Sequence, residues 1–192
     1  MKIEKIKLAT KFTMGMFILI LVTMIITYVI NPNLENLLNG VSTNVPETSN
    51  SNQGLNQILS YVINNGVRVP FQMFILSLIP ISYLYLTNAI ITSILTGILF
   101  GALFRYSIAK SITFLCSAFP YLFLEIFAYC MLASMLYQIN RWVRDKIKHR
   151  QNTSFHSEIR ALFIDYLKYV IPVIILAAIF ETYLADLILK LF

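Results

Sequence analysis

Glu125 and Glu181 are the residues of this 192-residue chain best placed to do chemistry. Glu125 lies in the apolar stretch Ser117–Cys130, with no charged neighbour within a helical turn on either side. Glu181 lies deep in the last apolar run. Placing an acid inside a bilayer costs at least ~2.5–3.5 kcal/mol, so such a residue usually faces the protein interior. Two carboxylates at one depth on neighbouring helices can share a proton or an ion. They can equally contact a substrate or partner, or lock helix packing by bonding to Arg68, Arg105 or the Asn64-Asn65 amides. All three readings stay open. Other chemistry is poorly provided for. His149 and His156 lie in a basic polar stretch and read as solvated. Cys116 and Cys130, fourteen residues apart in one helix, are separated by roughly 21 Å, too far for a disulfide, and read as packing residues. No Gly-rich phosphate loop, Ser/His/Asp order, zinc spacing or His-Glu-x-x-His pattern occurs, so neither a metal nor a cofactor is expected. Asn152-Thr-Ser is formally a glycosylation sequon, but it falls on the side expected to face the cytoplasm.

The elements that must position the glutamates follow from composition. The chain is 58% hydrophobic and 12% charged, about half the charge of a soluble domain. A soluble fold of this size cannot hide so much apolar surface, so the lipid bilayer is its expected solvent. Residues 1–11 carry four lysines. The apolar run Phe12–Ile30 that follows reads as an uncleaved first span with its amino terminus in the cytoplasm. Residues 31–54 are polar and contain no Lys or Arg, as expected of an external loop. From 55 to 192 the sequence reads as the core membrane domain. Leu55, Ile58, Leu59, Val62 and Ile63 mark one face of a short amphipathic helix, lying at the interface or forming the first turns of the next span.

Residues 69–104 contain no charge and are too long for one span. Two short spans with a turn at Thr87-Asn88 fit, with Pro80 kinking the first; a re-entrant hairpin is the alternative. Gly97 and Gly101 have the small-xxx-small spacing that lets helix backbones approach closely. Arg105 and Lys110 bracket a polar link to a fourth span at about Phe114–Tyr137. Six of the fifteen Lys and Arg fall in 141–160. The dense run Arg141, Arg144, Lys146, Lys148 and Arg150 reads as a cytoplasmic loop in contact with anionic lipid or an acidic partner, not nucleic acid. The last span covers about Val170–Lys190. The expected fold is therefore all-α: a bundle of about five transmembrane helices plus a short interfacial helix, carboxyl terminus outside. Counted from Ser117 and Lys190, Glu125 and Glu181 then lie at matched depth, roughly 12–14 Å below the outer surface.

Four motifs in order carry a family resemblance. They are Asn64-Asn65 followed by Val67-Arg68-Val69; Asn88 with Gly97 and Gly101; Pro120-Tyr-Leu-Phe-Leu-Glu125; and Ala177-Ala178-Ile-Phe-Glu181. With five spans, this set is similar to the stage II sporulation protein M family of bacterial membrane proteins, over roughly residues 55–190. The family's third element reads Pro-His-Gly-x-x-Glu; here Tyr121 and Leu122 replace the His and Gly. The resemblance implies a non-enzymatic cell-membrane subunit acting with other proteins. One branch works with cell-wall hydrolases during sporulation. Another is encoded beside circular bacteriocins and transporter ATPases, and serves export or self-immunity. The minimal soluble parts and the altered third motif favour the second. The partners so implied are other membrane proteins, an ABC-type ATPase or an antimicrobial peptide, and an oligomer is compatible with them. Two other classes are weighed against this reading. An intramembrane carboxylate enzyme would need a His or metal ligand within the membrane, and an ion-coupled transporter would normally show internal repeats.

If the glutamates work as a pair, Glu125→Gln and Glu181→Gln each impair activity more than Asp186→Asn does. Wild-type behaviour of both in a cell-based assay would refute the pairing.

Overall fold

The computed structural model describes residues 3–30, 54–148, 154–185 and 187. Arg150, His149, Asn152, Asp186, Lys190 and nearly all of the predicted external loop lie outside the described residues. The described chain forms five helices and no strand, an all-α membrane bundle. Helix α1 is Ile3–Ile30. Helix α2 covers 55–77, as Leu55–Ile63, a π-helical segment Asn64–Arg68, and Val69–Ser77. Helix α3 is Thr87–Tyr106, entered through a 3₁₀ turn at Leu84–Leu86. Helix α4 is Ile108–Ile147. Helix α5, Phe155–Leu184, contains two further π segments, Tyr166–Val170 and Phe180–Leu184.

Four of the five (α1, α4, α5, and α3 with its 3₁₀ turn) are long and apolar enough to cross a membrane. The fifth, α2, is diluted by Asn64, Asn65, Arg68 and Gln72. Its amphipathic start does not lie apart from the bundle but runs directly into the rest of α2. Leu55, Leu59 and Ile63 point outward and are exposed. In a bilayer that is the favourable side for an apolar stripe, because lipid is the solvent there. The opposite edge, with Gln57 and Tyr61, turns inward.

Helix α4 is the centre. Every residue from Ala128 to Leu136 is buried, and α4 touches each of the other four helices. Its 40 residues extend about 60 Å, twice the ~30 Å hydrocarbon core. The basic run is therefore helical as far as Ile147, where the sequence suggested a loop. Similarly, 155–165 is the helical start of α5. The expected polar link at 105–110 reduces to one extended residue, Ser107, whose carbonyl accepts from the Ser111 hydroxyl at 2.6 Å.

Helix α3 packs along α1, and two glycines set the spacing. A Cβ at Gly97 would come within 2.7 Å of the Ile20 carbonyl oxygen, and one at Gly101 within 2.5 Å of that of Met24. Only glycine permits backbones so close. Arg105 lies over the Tyr28 ring at the end of the same seam.

The turn between α2 and α3 falls at 78–83, not at Thr87-Asn88, and Pro80 belongs to it instead of kinking a helix. Pro80 is the local mark of this boundary in an uncharged run, and a distant side chain holds it. Asn140 of α4, fully buried, donates through Nδ2 to the carbonyls of Ser77 (3.0 Å), Ile79 (2.7 Å) and Ile81 (3.2 Å). These oxygens lie where the helix has ended, in an apolar setting with no water to serve them; the Ile79 carbonyl also accepts from the Ile81 N–H at 2.8 Å. Tyr83 closes the turn in the left-handed region (φ 67°), a conformation costing roughly 1–2 kcal/mol for a non-glycine residue. Its ring stacks on Tyr137 and meets Phe12 edge-on, at 6.2 Å in each case.

Asn140→Asp keeps the shape but, when ionised, has no donor. It should destabilise the protein by about 3 kcal/mol, at the level expected for unsatisfied buried carbonyls. A lowered unfolding temperature in detergent micelles is the readout.

Candidate carboxylate–tyrosine site

Three helices meet around the two glutamates. On α4, Tyr121, Glu125 and Tyr129 recur every four residues and share one face. Helix α5 contributes Tyr166 and Glu181, and α2 contributes Tyr61. The Glu125 carboxylate accepts a hydrogen bond from the Tyr129 hydroxyl. The Glu181 carboxylate is bonded to the Tyr61 side chain, which also receives Gln57 Nε2 at 3.3 Å. The two carboxylates lie within electrostatic reach of each other. Tyr121 feels both of them as well as Tyr61. The cluster thus comprises two acids and a set of phenols.

The register of α4 against α5 is fixed by the Ser117 hydroxyl, which donates to the Ala185 carbonyl at 3.0 Å. Glu125 is two turns from that bond and Glu181 about one. The acids are therefore offset by roughly 6 Å along the bundle, not level. The difference arises because the last helical turns pair with Ser117 at Ala185, well before Lys190. Tyr121, one turn from Ser117, fills the step between them. It stands beside both acids.

The backbone around the cluster is irregular. Pro70 has no N–H, so the Gly66 carbonyl lacks its ordinary donor four residues on. The Tyr166 hydroxyl donates to that carbonyl instead, tying α5 to α2. Pro70 and Pro172 each stand at the second position after a π segment. A proline clashes with the carbonyl four residues back, and a wider turn relieves the clash. The third π segment contains Glu181 itself and no proline. Such segments are frequent at functional sites.

The remaining residues singled out from sequence take other roles. Asn64 Nδ2 donates to Asn65 Oδ1 at 2.7 Å, so this pair bonds to itself and not to a glutamate. Arg68 is exposed and, among the described residues, forms no ion pair. Asn88 donates to Gln72 Oε1 at 3.1 Å, joining α3 to α2. Pro120 interrupts the bonding of α4 immediately before Tyr121, the first cluster residue on that helix. Ala177 and Ala178 are buried where α5 meets its neighbours. In the basic run, Arg141 lies 3.6 Å from Asp145 and Arg144 donates to Ser82 at 2.7 Å, while Lys146 and Lys148 are exposed.

A cleft of about 670 Å³ is at the opposite end from the carboxylates' Ser117–Ala185 mouth. It is walled by Lys5, Arg141, Trp142, Asp145 and Glu158. Lys5 is buried and paired with Asp165 at 2.9 Å. Sequence reading passed over both partners of this bond, as well as Asn140 and Tyr166. Lys5 hid among the lysines of a leader-like start, and the others are ordinary polar residues whose roles come from distant backbone.

The bundle and its internal carboxylate–tyrosine cluster define a polytopic α-helical membrane protein. A family model, Stage II sporulation protein M, matches residues 11–186, and the chain belongs to that family. No curated protein and no solved structure matches it.

Tyr166→Phe removes the substitute donor at Gly66. The expected loss is about 1–3 kcal/mol, read as a fall in unfolding temperature in micelles. Glu125→Gln leaves that bond intact and should not reproduce the fall.

Proposed function

We propose that this chain is a non-enzymatic subunit of a membrane assembly that exports an antimicrobial peptide or protects its producer from one. The observation carrying this reading is the Glu125–Glu181 cluster, where the acids meet phenols and not cations. A pair of acids so held offers negative charge to a basic group on a peptide or partner. The cluster lies toward the end where Gly54 packs on Tyr183, next to the point at which the polar segment 31–53 enters α2. A peptide approaching from outside would meet that end first. The family's bacteriocin-associated branch, favoured by Tyr121 and Leu122 in the third motif, supports the same reading.

The amino terminus then lies in the cytoplasm and the carboxyl terminus outside. In support, Lys5 and the basic end of α4 share one end of the bundle, across the 670 Å³ cleft, and Arg105 and Lys110 lie at the other. The cytoplasmic end is where an ABC-type ATPase would dock. Because Arg141 and Arg144 are already engaged within the chain, Lys146 and Lys148 are, among the described residues of the basic run, the cations left for such a partner.

Expression in a strain sensitive to the producer's antimicrobial peptide tests the proposal. The inhibitory concentration should rise about tenfold or more, corresponding to at least ~1.4 kcal/mol of effective protection. Unchanged sensitivity, with the protein demonstrably in the membrane, would reject the protective role.

A further inference from the structure

A cleft between α1 and α4 takes no part in the carboxylate cluster. Its volume is about 360 Å³, and its walls are almost wholly apolar. Met14, Phe17, Ile18 and Leu21 line it from α1, and Phe123 and Phe127 from α4. The rings form a stiff wall: Phe17 stacks on Phe123 at 5.8 Å and Phe123 on Phe127 at 6.1 Å. Thr10 and Thr13 also border the cleft. Their hydroxyls are turned back onto the carbonyls of Ile6 (3.0 Å) and Ala9 (2.9 Å), so neither is free for an occupant. The occupant must therefore be a hydrocarbon.

The mouth of the cleft has a different chemistry. Lys7, Lys11, Met14, Ile18 and Leu21 alternate steps of four and three, so they form one stripe along α1. Both lysines are exposed, and among the described residues neither forms an ion pair. From Lys11 to Leu21 the stripe measures roughly 15 Å, half the ~30 Å hydrocarbon core and so the depth of one leaflet. An apolar slot one leaflet deep with two free cations at its mouth matches an anionic lipid in both length and charge.

We propose that this cleft seats an acyl chain of an anionic glycerophospholipid whose phosphate rests on Lys7 and Lys11. The aromatic wall orders the chain along α4, and the lysines select the headgroup. The site is separate from the carboxylate cluster and does not depend on the function proposed for it. A transmembrane helix of a second copy is a poorer occupant, because large rings fill the wall and two like charges crown it.

The test uses the full chain in mild detergent, titrated with phosphatidylglycerol or phosphatidylcholine of identical acyl chains and read by native mass spectrometry. Each lysine near a headgroup is worth about fivefold in affinity, so wild type should prefer phosphatidylglycerol by roughly 25-fold. Lys7→Gln/Lys11→Gln should abolish the preference, and Ile18→Trp, which fills the slot from an exposed position, should reduce retention of both lipids. Arg68→Gln/Lys110→Gln, removing two exposed charges elsewhere, should change neither. Equal retention of the two lipids by wild type would overturn the proposal. So would an equal loss of preference in the Arg68/Lys110 variant, or a bound second copy that Ile18→Trp releases.

Discussion

In hydrocarbon, a backbone N–H or C=O without a partner inside the protein has none at all. Much of this structure answers to that constraint. Where the helices are regular, they satisfy themselves. Where the chain must turn or pass a proline, one side chain from another helix takes over. Asn140 does so for the carbonyls of Ser77, Ile79 and Ile81 at the α2–α3 turn, and Tyr166 for the Gly66 carbonyl opposite Pro70. These bonds also decide which helices touch. Asn140 fastens the α2–α3 turn to α4, and Tyr166 fastens α5 to α2. The tertiary structure is, to that extent, a consequence of local irregularities.

The same economy shapes the carboxylate site. Glu125 and Glu181 meet the hydroxyls of Tyr129 and Tyr61, although Arg68 and Arg105 were the cations expected from sequence as their partners. Arg105 is turned onto Tyr28, and Arg68 is exposed. A buried ion pair would have fixed the acids firmly, since removing one partner strands a charge. Phenols hold them through bonds that are weaker and more easily exchanged. The π segment around Glu181 adds a backbone that is not locked in ideal geometry.

The membrane class, the helical bundle and the family were legible from composition, from the spacing of apolar runs, and from four short motifs. Glu125 and Glu181 stood out as well, because an acid in an apolar run is conspicuous. The helix limits were less legible. In a soluble protein a change in polarity marks a helix end, but α4 and α5 continue past the bilayer as helices, so polarity at 141–147 and 155–165 marks only the water boundary. The 78–83 turn was hidden for the opposite reason: its flanks are uniformly apolar, and its stabilising residue is some sixty positions away. The depth offset of the acids depends on the Ser117–Ala185 bond, which no local pattern announces. The phenol cage was half visible, since Tyr121 stood out only as a departure from the family motif.

Between Glu125 and Ile147, α4 contains neither proline nor glycine. That stretch is an unbroken rod of roughly 33 Å. Its soft point, Pro120, lies on the other side of Glu125. A tilt or roll imposed at the carboxylates has no joint in which to dissipate on the way to Arg141 and Trp142, and must arrive there as motion. The rod is therefore a mechanical lever: one arm lies in the cluster, its pivot is the tightly packed stretch from Ala128 to Leu136, and the other arm ends in the cleft beside Lys5.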